Sequence, residues 1–391
     1  MVSWQEPGEL MLKAVMKKIN RLEAFEDTKT LWIFGAGASV EPYGVPTQAR
    51  LLERFFNEKR RLPDREKKEL EALRRRVFEI CQRVQPGLEP QSPQISLEEV
   101  FSAYEIAMDH PRTPPQKVEE ARNAIQDLLK AIRFITSMDE DEYVYRWNAS
   151  GRSGASAPYT ALLKKLYPPG CVWGRIQAHS FVTLNYDLHL DRALLYMYSP
   201  KESAWGVDLD YGIEFADYRL GGGFRRPRED RSALLLRPHG GLNWVHCLTC
   251  RAVFNTVDRE AKELIRRRQC LACRSRRLDH ILVHPSYLRQ YSNPVLQLVW
   301  GRCQEELLKA ERWVFVGYSL PAADVHFREL LRHSLRLRKK RKPEIIVVGK
   351  GPASRGDWKT MQGNYQTALG EDVLAWAPHR KGFAQFVEEL S

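Results

Sequence analysis

LWIFGAGASVEPYGVPT, residues 31–47, passes within a few positions from an apolar run to a turn made of little but glycine and alanine. Leu31 to Phe34 read as a short buried strand, Gly35-Ala36-Gly37-Ala38-Ser39 as a tight turn, and TQARLLERFFNEKR from Thr47 onward as a helix with apolar residues at helical spacing. Strand, glycine turn and helix open a doubly wound sheet, in which that first turn lies at the carboxyl edge and a helix N-terminus offers unpaired N–H groups to a ligand. The cleared side chains then leave room for a phosphate against the backbone, with the Ser39 hydroxyl as a further donor. A purely structural turn that needs glycine for positive φ is the other reading.

Working outward, a helical segment is expected over residues 1–30 and a helical insertion over 48–175. DREKKELEALRRRVFEICQRV is charged and amphipathic, SLEEVFSAYEIAM begins with Ser96 and Glu99 in capping-box relation, and KVEEARNAIQDLLKAIRFI follows a proline pair at 114–115. Strand-like runs then return as SFVTL (180–184), ALLLR (233–237), HILVH (280–284), RWVFVG (312–317) and EIIVVG (344–349), several followed by helical stretches. Apolar strands alternating with helices predict an α/β fold, a Rossmann-like doubly wound parallel sheet spanning 31–350, with a C-terminal α/β extension over 351–391. The amphipathic helices near 64–85 and 115–135 would either pack within the helical insertion or present faces for self-association.

Four of the seven cysteines form two CxxC pairs: Cys247 with Cys250 and, nineteen residues on, Cys270 with Cys273. That spacing fits a tetrahedral four-thiolate zinc site, closed to water and therefore structural, in a small zinc module over 245–278. Cys81, Cys171 and Cys303 stand alone, so a reducing compartment with a metal fits better than a disulfide scaffold. Neither a signal peptide nor a membrane-spanning run is visible, and a cytoplasmic location is the expectation. The net charge of +12 gathers at Arg266–Arg268, Arg274–Arg277 and Arg336–Lys342. Those runs are read either as solvated surface meeting an acidic partner or as contacts for a nucleic-acid backbone.

Two polar clusters end apolar runs. FVTLNYD (181–187) supplies Asn185 and Asp187, and LRPHGGLNW (236–244) supplies His239 before two glycines. Functional groups of doubly wound folds collect at strand carboxyl ends, so both could face the crevice of the glycine turn; a helix cap and an ordinary satisfied histidine are the alternatives. VGYSLPAAD (316–324) repeats the plan of strand, glycine, hydroxyl residue and acid-capped helix.

Taken in order, GAGAS with GVPT, TLNYD, HGG, the paired CxxC knuckles and GYSLPAAD resemble the sirtuin family, specifically the divergent prokaryotic branch of sirtuin-like NAD hydrolases in antiphage defence. The resemblance implies that NAD+ is the substrate, with Gly35, Ala36, Gly37, Ser39, Pro46 and Thr47 holding it by the pyrophosphate turn. It puts Asn185 and Asp187 at the nicotinamide ribose, His239 as the base, Gly317 and Ser319 near the adenosine, and structural Zn2+ on Cys247, Cys250, Cys270 and Cys273. It further implies a homo-oligomer, such proteins working as oligomers or with an effector or motor partner; the chain has no P-loop, so a translocating ATPase, if one is involved, would be a separate polypeptide. Deacylating sirtuins usually follow the GxP segment with Asp-Phe-Arg; here Pro46 is followed by Thr47-Gln48-Ala49-Arg50, and HILVHPSYLRQY lacks their peptide-pairing strand. Glycohydrolysis of NAD+ is therefore the leading expectation, with NAD-dependent deacylation or ADP-ribosyl transfer, and nucleotide sensing or nucleic-acid binding without turnover, as the alternatives.

Overall fold

The structure, a computed structural model, describes residues 28–40, 44–59, 62–89, 95–110, 112–149, 158–168, 176–197, 208–217, 223–225, 232–255, 269–288, 291–338, 341–350, 355–370, 374–379 and 382–390. Most of the expected N-terminal helical segment, and with it Cys171 and Arg266–Arg268, lies outside those residues. Twelve strands are described: β1 (Thr30–Phe34), β2 (His179–Thr183), β3 (Asp208–Asp210), β4 (Phe215–Asp217), β5 (Gly223–Arg225), β6 (Ser232–Leu236), β7 (Gly240–Cys247), β8 (Val253–Asn255), β9 (Leu278–Leu282), β10 (Arg312–Val316), β11 (Glu344–Lys350) and β12 (Leu374–His379). The helices are α1 (Gly37–Val40), α2 (Leu51–Asn57), α3 (Asp64–Val84), α4 (Leu97–Asp109), α5 (Pro115–Ala149), α6 (Pro158–Leu166), α7 (His189–Met197), α8 (Pro294–Lys309), α9 (Val325–Leu337), α10 (Arg355–Leu369) and α11 (Phe383–Glu389).

Seven strands make a parallel sheet in the order β12-β11-β10-β1-β2-β6-β3. Every residue of β1, β2 and β10 is buried, as expected of strands covered on both faces. The chain leaves β1 toward β2 on one side and later returns to β10 on the other, so the topological switch point falls between β1 and β10. The register sets the edge level: Phe34 lies opposite Thr183 and Val316, and Leu236 opposite Val182. Gly35, Leu184, Arg237 and Gly317 consequently leave the sheet side by side.

HILVH does not join this sheet. β9 instead pairs antiparallel with β7, which also pairs with β8, in a three-stranded sheet that carries the cysteines. The apolar strand was readable but its partner was not, because a short apolar run has the same composition in either setting. The parallel sheet also gains β3 and β12, the latter lying beside β11 at the rim.

Among the described residues, three separate cores follow from these layers. The largest surrounds the parallel sheet and includes Tyr159, Leu162 and Leu163 of α6. A second joins α2, α3, α4 and α5, where Leu70, Leu73, Val77 and Ile80 of α3 meet Leu128, Leu129 and Ile132 of α5. The apolar stripes of these two long helices are thus consumed within the helical lobe. At α4 the expected cap is present: Ser96 Oγ accepts the N–H of Glu99 at 3.3 Å. A third, small core of Ala216, Val245, Ala252 and Phe254 lies beside Cys247 and Cys270. No helix among the described residues is long and apolar enough to cross a membrane.

Candidate active site

The glycine turn at 35–39 does not stand alone. Gly35 N–H donates to the carbonyl of Val316 at 3.0 Å and Gly37 N–H to the carbonyl of Gly317 at 2.8 Å, so the turns after β1 and β10 lie back to back at the switch point. A Cβ on Gly35 would meet Tyr318 at 2.7 Å, and one on Gly37 would meet the Gly317 carbonyl oxygen at 2.8 Å. Gly317 has φ +60°, and a Cβ there would sit 2.1 Å from the Ala38 nitrogen. The clearance that the sequence attributes to a phosphate is therefore taken up by a second stretch of backbone. Ala36 and Gly37 remain exposed at the edge, and α1 is a single turn of four residues rather than the start of a long helix. Gly317→Ala combines left-handed backbone strain with that overlap and should destabilise the protein by more than about 2 kcal/mol, read from a urea unfolding midpoint. An unchanged midpoint would mean that the two turns can separate freely.

Asn185, just past β2, is buried and turns toward the glycine turn. Its Nδ2 donates to the Gly35 carbonyl at 3.0 Å and to Ser39 Oγ at 3.2 Å, while Ser39 Oγ lies 3.1 Å from the Tyr159 hydroxyl. Burial, with the Asp187 charge nearby, holds the Tyr159 hydroxyl far above its ordinary range, so it stays protonated. Asp187 Oδ1 accepts the His189 N–H at 3.1 Å in an Asx turn leading into α7. The structure thus realises the helix-capping alternative for Asp187. Burial keeps His189 below its ordinary range despite Asp187.

His239 follows β6 on a turn fixed at both ends: Gly240 N–H donates to the Arg237 carbonyl at 2.8 Å, and Val283 N–H to the His239 carbonyl at 2.8 Å. Its Nδ1 lies 3.3 Å from the Leu184 carbonyl, which can only accept. In the neutral ring Nδ1 therefore carries the hydrogen and Nε2 the lone pair. Nε2 is buried, has no hydrogen-bond partner among the described residues, and lies 3.5 Å from Asp324 Oδ1. The expectation that Asp324 caps α9 is corrected: its side chain makes no cap hydrogen bond, because Oδ2 accepts the Tyr318 hydroxyl at 2.6 Å and Oδ1 faces the imidazole.

The sequence reading also missed Arg237, which lies fully buried between the two clusters. Its guanidinium donates to the carbonyls of Asn185 (2.7 Å), Asp187 (3.0 Å) and Gly240 (3.1 Å) and pairs with the Asp191 carboxylate. Tyr211 donates to the other Asp191 oxygen at 2.9 Å. Burial pushes the Asp191 carboxyl up from its ordinary range and Arg237 opposes that shift. The signal available in the sequence was an arginine closing an apolar strand, ALLLR.

Of the remaining candidates, Pro46 is half-buried and Thr47 exposed, one and two residues beyond Val45, whose N–H donates to the Ser39 carbonyl at 3.3 Å. Ser319 is exposed, and its carbonyl accepts Asn364 Nδ2 at 3.0 Å. Asn185, Asp187, His239 and the two glycine turns are brought to one edge of the sheet.

The four cysteine sulfurs lie within 4.8 Å of one another, with Cys247 to Cys273 and Cys250 to Cys270 each 3.6 Å apart. Against the cost of burial, N–H groups of Cys250 and Thr249 bring the Cys247 thiol down to about 6, whereas burial pushes Cys270 up to about 12 and raises Cys250. Four thiols so close do not all ionise without a cation, and four sulfurs at tetrahedral spacing suit zinc. Purified protein should hold about one zinc per chain, and Cys250→Ser with Cys273→Ser should lose it by atomic absorption while the parallel sheet stays folded. A wild-type preparation without metal after growth in zinc would contradict the assignment.

The family model described as a SIR2-like domain matches residues 179–366, from β2 into α10. The matched span includes Asn185, His239, the four cysteines and Asp324, and leaves the glycine turn at 35–39 outside. Solved Sir2 structures align along nearly the whole chain. One, from work on the structural basis for the mechanism and regulation of Sir2 enzymes, has 15% identity and a TM-score of 0.40, covering 97% of this chain and 98% of the other. Another, Sir2Tm bound to a propionylated peptide, has 14% identity and a TM-score of 0.40, covering 95% of each chain. A Sir2–p53 peptide–NAD+ complex has 15% identity and a TM-score of 0.38, covering 96% and 95%. No curated protein gave a significant match.

Proposed function

We propose that the chain is an NAD+ glycohydrolase that converts NAD+ and water to nicotinamide, ADP-ribose and a proton. The observation that carries the reading is the buried His239 Nε2, a lone-pair acceptor without a hydrogen-bond partner among the described residues, 3.5 Å from a carboxylate at the switch point of the sheet. Cleavage of the nicotinamide–ribose bond passes through an oxocarbenium-like centre, and it needs a group that takes a proton from the attacking water or from a ribose hydroxyl. His239 Nε2 fills that role, and the charge it gains is met by Asp324, which Tyr318 holds in place. Asn185 keeps the glycine turn registered against the end of β2, and Ala36 and Gly37 offer exposed backbone at the edge for the pyrophosphate. The SIR2-like match supports an NAD-consuming reaction, and the order of the motifs supports a role in antiphage defence within a homo-oligomer, under restraint until triggered.

The test is incubation of the purified protein with NAD+ and chromatography of the products, with an acetylated peptide added in a parallel arm. Nicotinamide with ADP-ribose supports hydrolysis. Acetyl-ADP-ribose in the second arm would assign deacylation instead, and NAD+ left intact under all activating conditions would overturn the reading.

A further inference from the structure

The arginine-rich stretches of the chain meet different fates in the fold. Arg338 donates to the carbonyls of Leu307, Leu308 and Ala310 at the end of α8, and Arg332 to those of Thr367 and Ala368 at the end of α10. Those guanidiniums satisfy helix carboxyl ends and are spent within the protein. At the cysteine knuckles nothing comparable occurs. Arg251, Arg274, Arg276 and Arg277 are exposed, and among the described residues none of their guanidiniums has a hydrogen bond or ion pair.

The knuckles hold two of these arginines at equivalent stations. Arg251 follows the first CxxC with φ 64° and donates its N–H to the Cys247 carbonyl at 2.9 Å; Arg274 follows the second with φ 61° and donates to the Cys270 carbonyl at 2.8 Å. A left-handed station costs an L-residue about 1–2 kcal/mol, so glycine is the economical occupant. Arginine at both, with no side-chain partner among the described residues, directs attention outward. The stations are joined, because Thr249 Oγ1 lies 2.8 Å from Ser275 Oγ and Leu248 N–H donates to the Arg277 carbonyl at 2.8 Å. Four guanidiniums therefore share one rigid tip. From Val245 to His280 the sequence has nine arginines and lysines against four acids.

We propose that this knuckle tip binds the phosphate backbone of a nucleic acid. All four exposed cations are arginine, whose planar fork matches phosphate oxygens in pairs where a lysine acts as a point charge. Presentation from closed knuckles fixes the backbone that carries the arginines relative to one another, and displaced counterions supply the driving force. One competing account is internal: a zinc tetrathiolate carries a net charge of −2, and the arginines could serve only to offset it. The zinc content of the variants separates the two.

The experiment is fluorescence anisotropy of the zinc-loaded full chain with a labelled duplex and with a single strand of equal length, at low and moderate salt. Replacing Arg251, Arg274, Arg276 and Arg277 together by alanine should weaken binding roughly thirtyfold at low salt and flatten the log–log salt slope by about three to four, the release expected for four phosphates. Arg336→Ala, in the other basic run, should leave both unchanged, and zinc stoichiometry should match the wild type in every variant. Absence of binding by the wild type, equal binding by the quadruple variant, zinc lost together with binding, or displacement by polyglutamate as effective as by unlabelled duplex would each overturn the proposal. None of these readouts depends on NAD+ turnover.

Discussion

Replacing His239 by alanine should reduce nicotinamide release by about 10²- to 10⁴-fold, the range ordinarily lost with a positioned general base. The expectation rests on the tautomer that the Leu184 carbonyl imposes, which leaves Nε2 as the acceptor, and on its place 3.5 Å from Asp324 Oδ1. His239→Ala also empties a buried site beside Asp324, so the unfolding midpoint is measured alongside the rate, and lost turnover in a variant that remains folded points to chemistry. Asp324→Asn should cost less, about tenfold or more, because the amide still accepts the Tyr318 hydroxyl but no longer balances an imidazolium. The measurement is initial-rate chromatography at saturating NAD+. Turnover undiminished in His239→Ala would remove the basis for the proposed reaction.

The largest loss of stability is expected at Arg237→Met. The guanidinium is wholly buried, donates to three carbonyls and neutralises Asp191, and an apolar replacement leaves a carboxylate and several acceptors in a dry interior. Breaking one side of a buried pair costs about 3–5 kcal/mol. Guanidinium chloride unfolding should show that drop, and pairing Arg237→Met with Asp191→Leu should recover part of it, because the second change removes the stranded charge. A single-variant loss below about 1 kcal/mol would mean that water reaches the network or that Asp191 takes a proton at little cost. The same guanidinium binds the Asn185, Asp187 and Gly240 carbonyls, so the change should also disturb the loops around His239.

The elements that positioned the site could be read from local pattern wherever one face or one run decided the matter. The strand at 31–34, those near 180, 233, 312 and 344, and the helix over DREKKELEALRRRVFEICQRV all lie where their apolar spacing puts them. HILVH was misplaced because pairing is a long-range property that a short apolar run does not encode. β12 falls in the stretch read as a C-terminal α/β extension, though its place beside β11 was not legible; its Pro378 is tolerated since the strand forms the rim of the sheet and pairs on one side only. Asn185, Asp187 and His239 could be nominated because each is a polar residue ending an apolar run. Arg237 looked like an ordinary strand-end cation, and its burial is visible only once Asp191, 46 positions earlier, is brought against it. Asp324 was read through its neighbour in sequence, as a cap, when its partners are a tyrosine six residues before it and a histidine from another loop.

The mutual contact of the turns at Gly37 and Gly317 makes their evolution a joint affair. Neither loop can acquire a side chain at its contact point while the other keeps its present path, so a change tolerated in a relative would come as a compensated pair. A library that randomises one loop alone should return glycine there almost regardless of the ligand used for selection, which would mimic a demand of catalysis while reporting only the space between two chains.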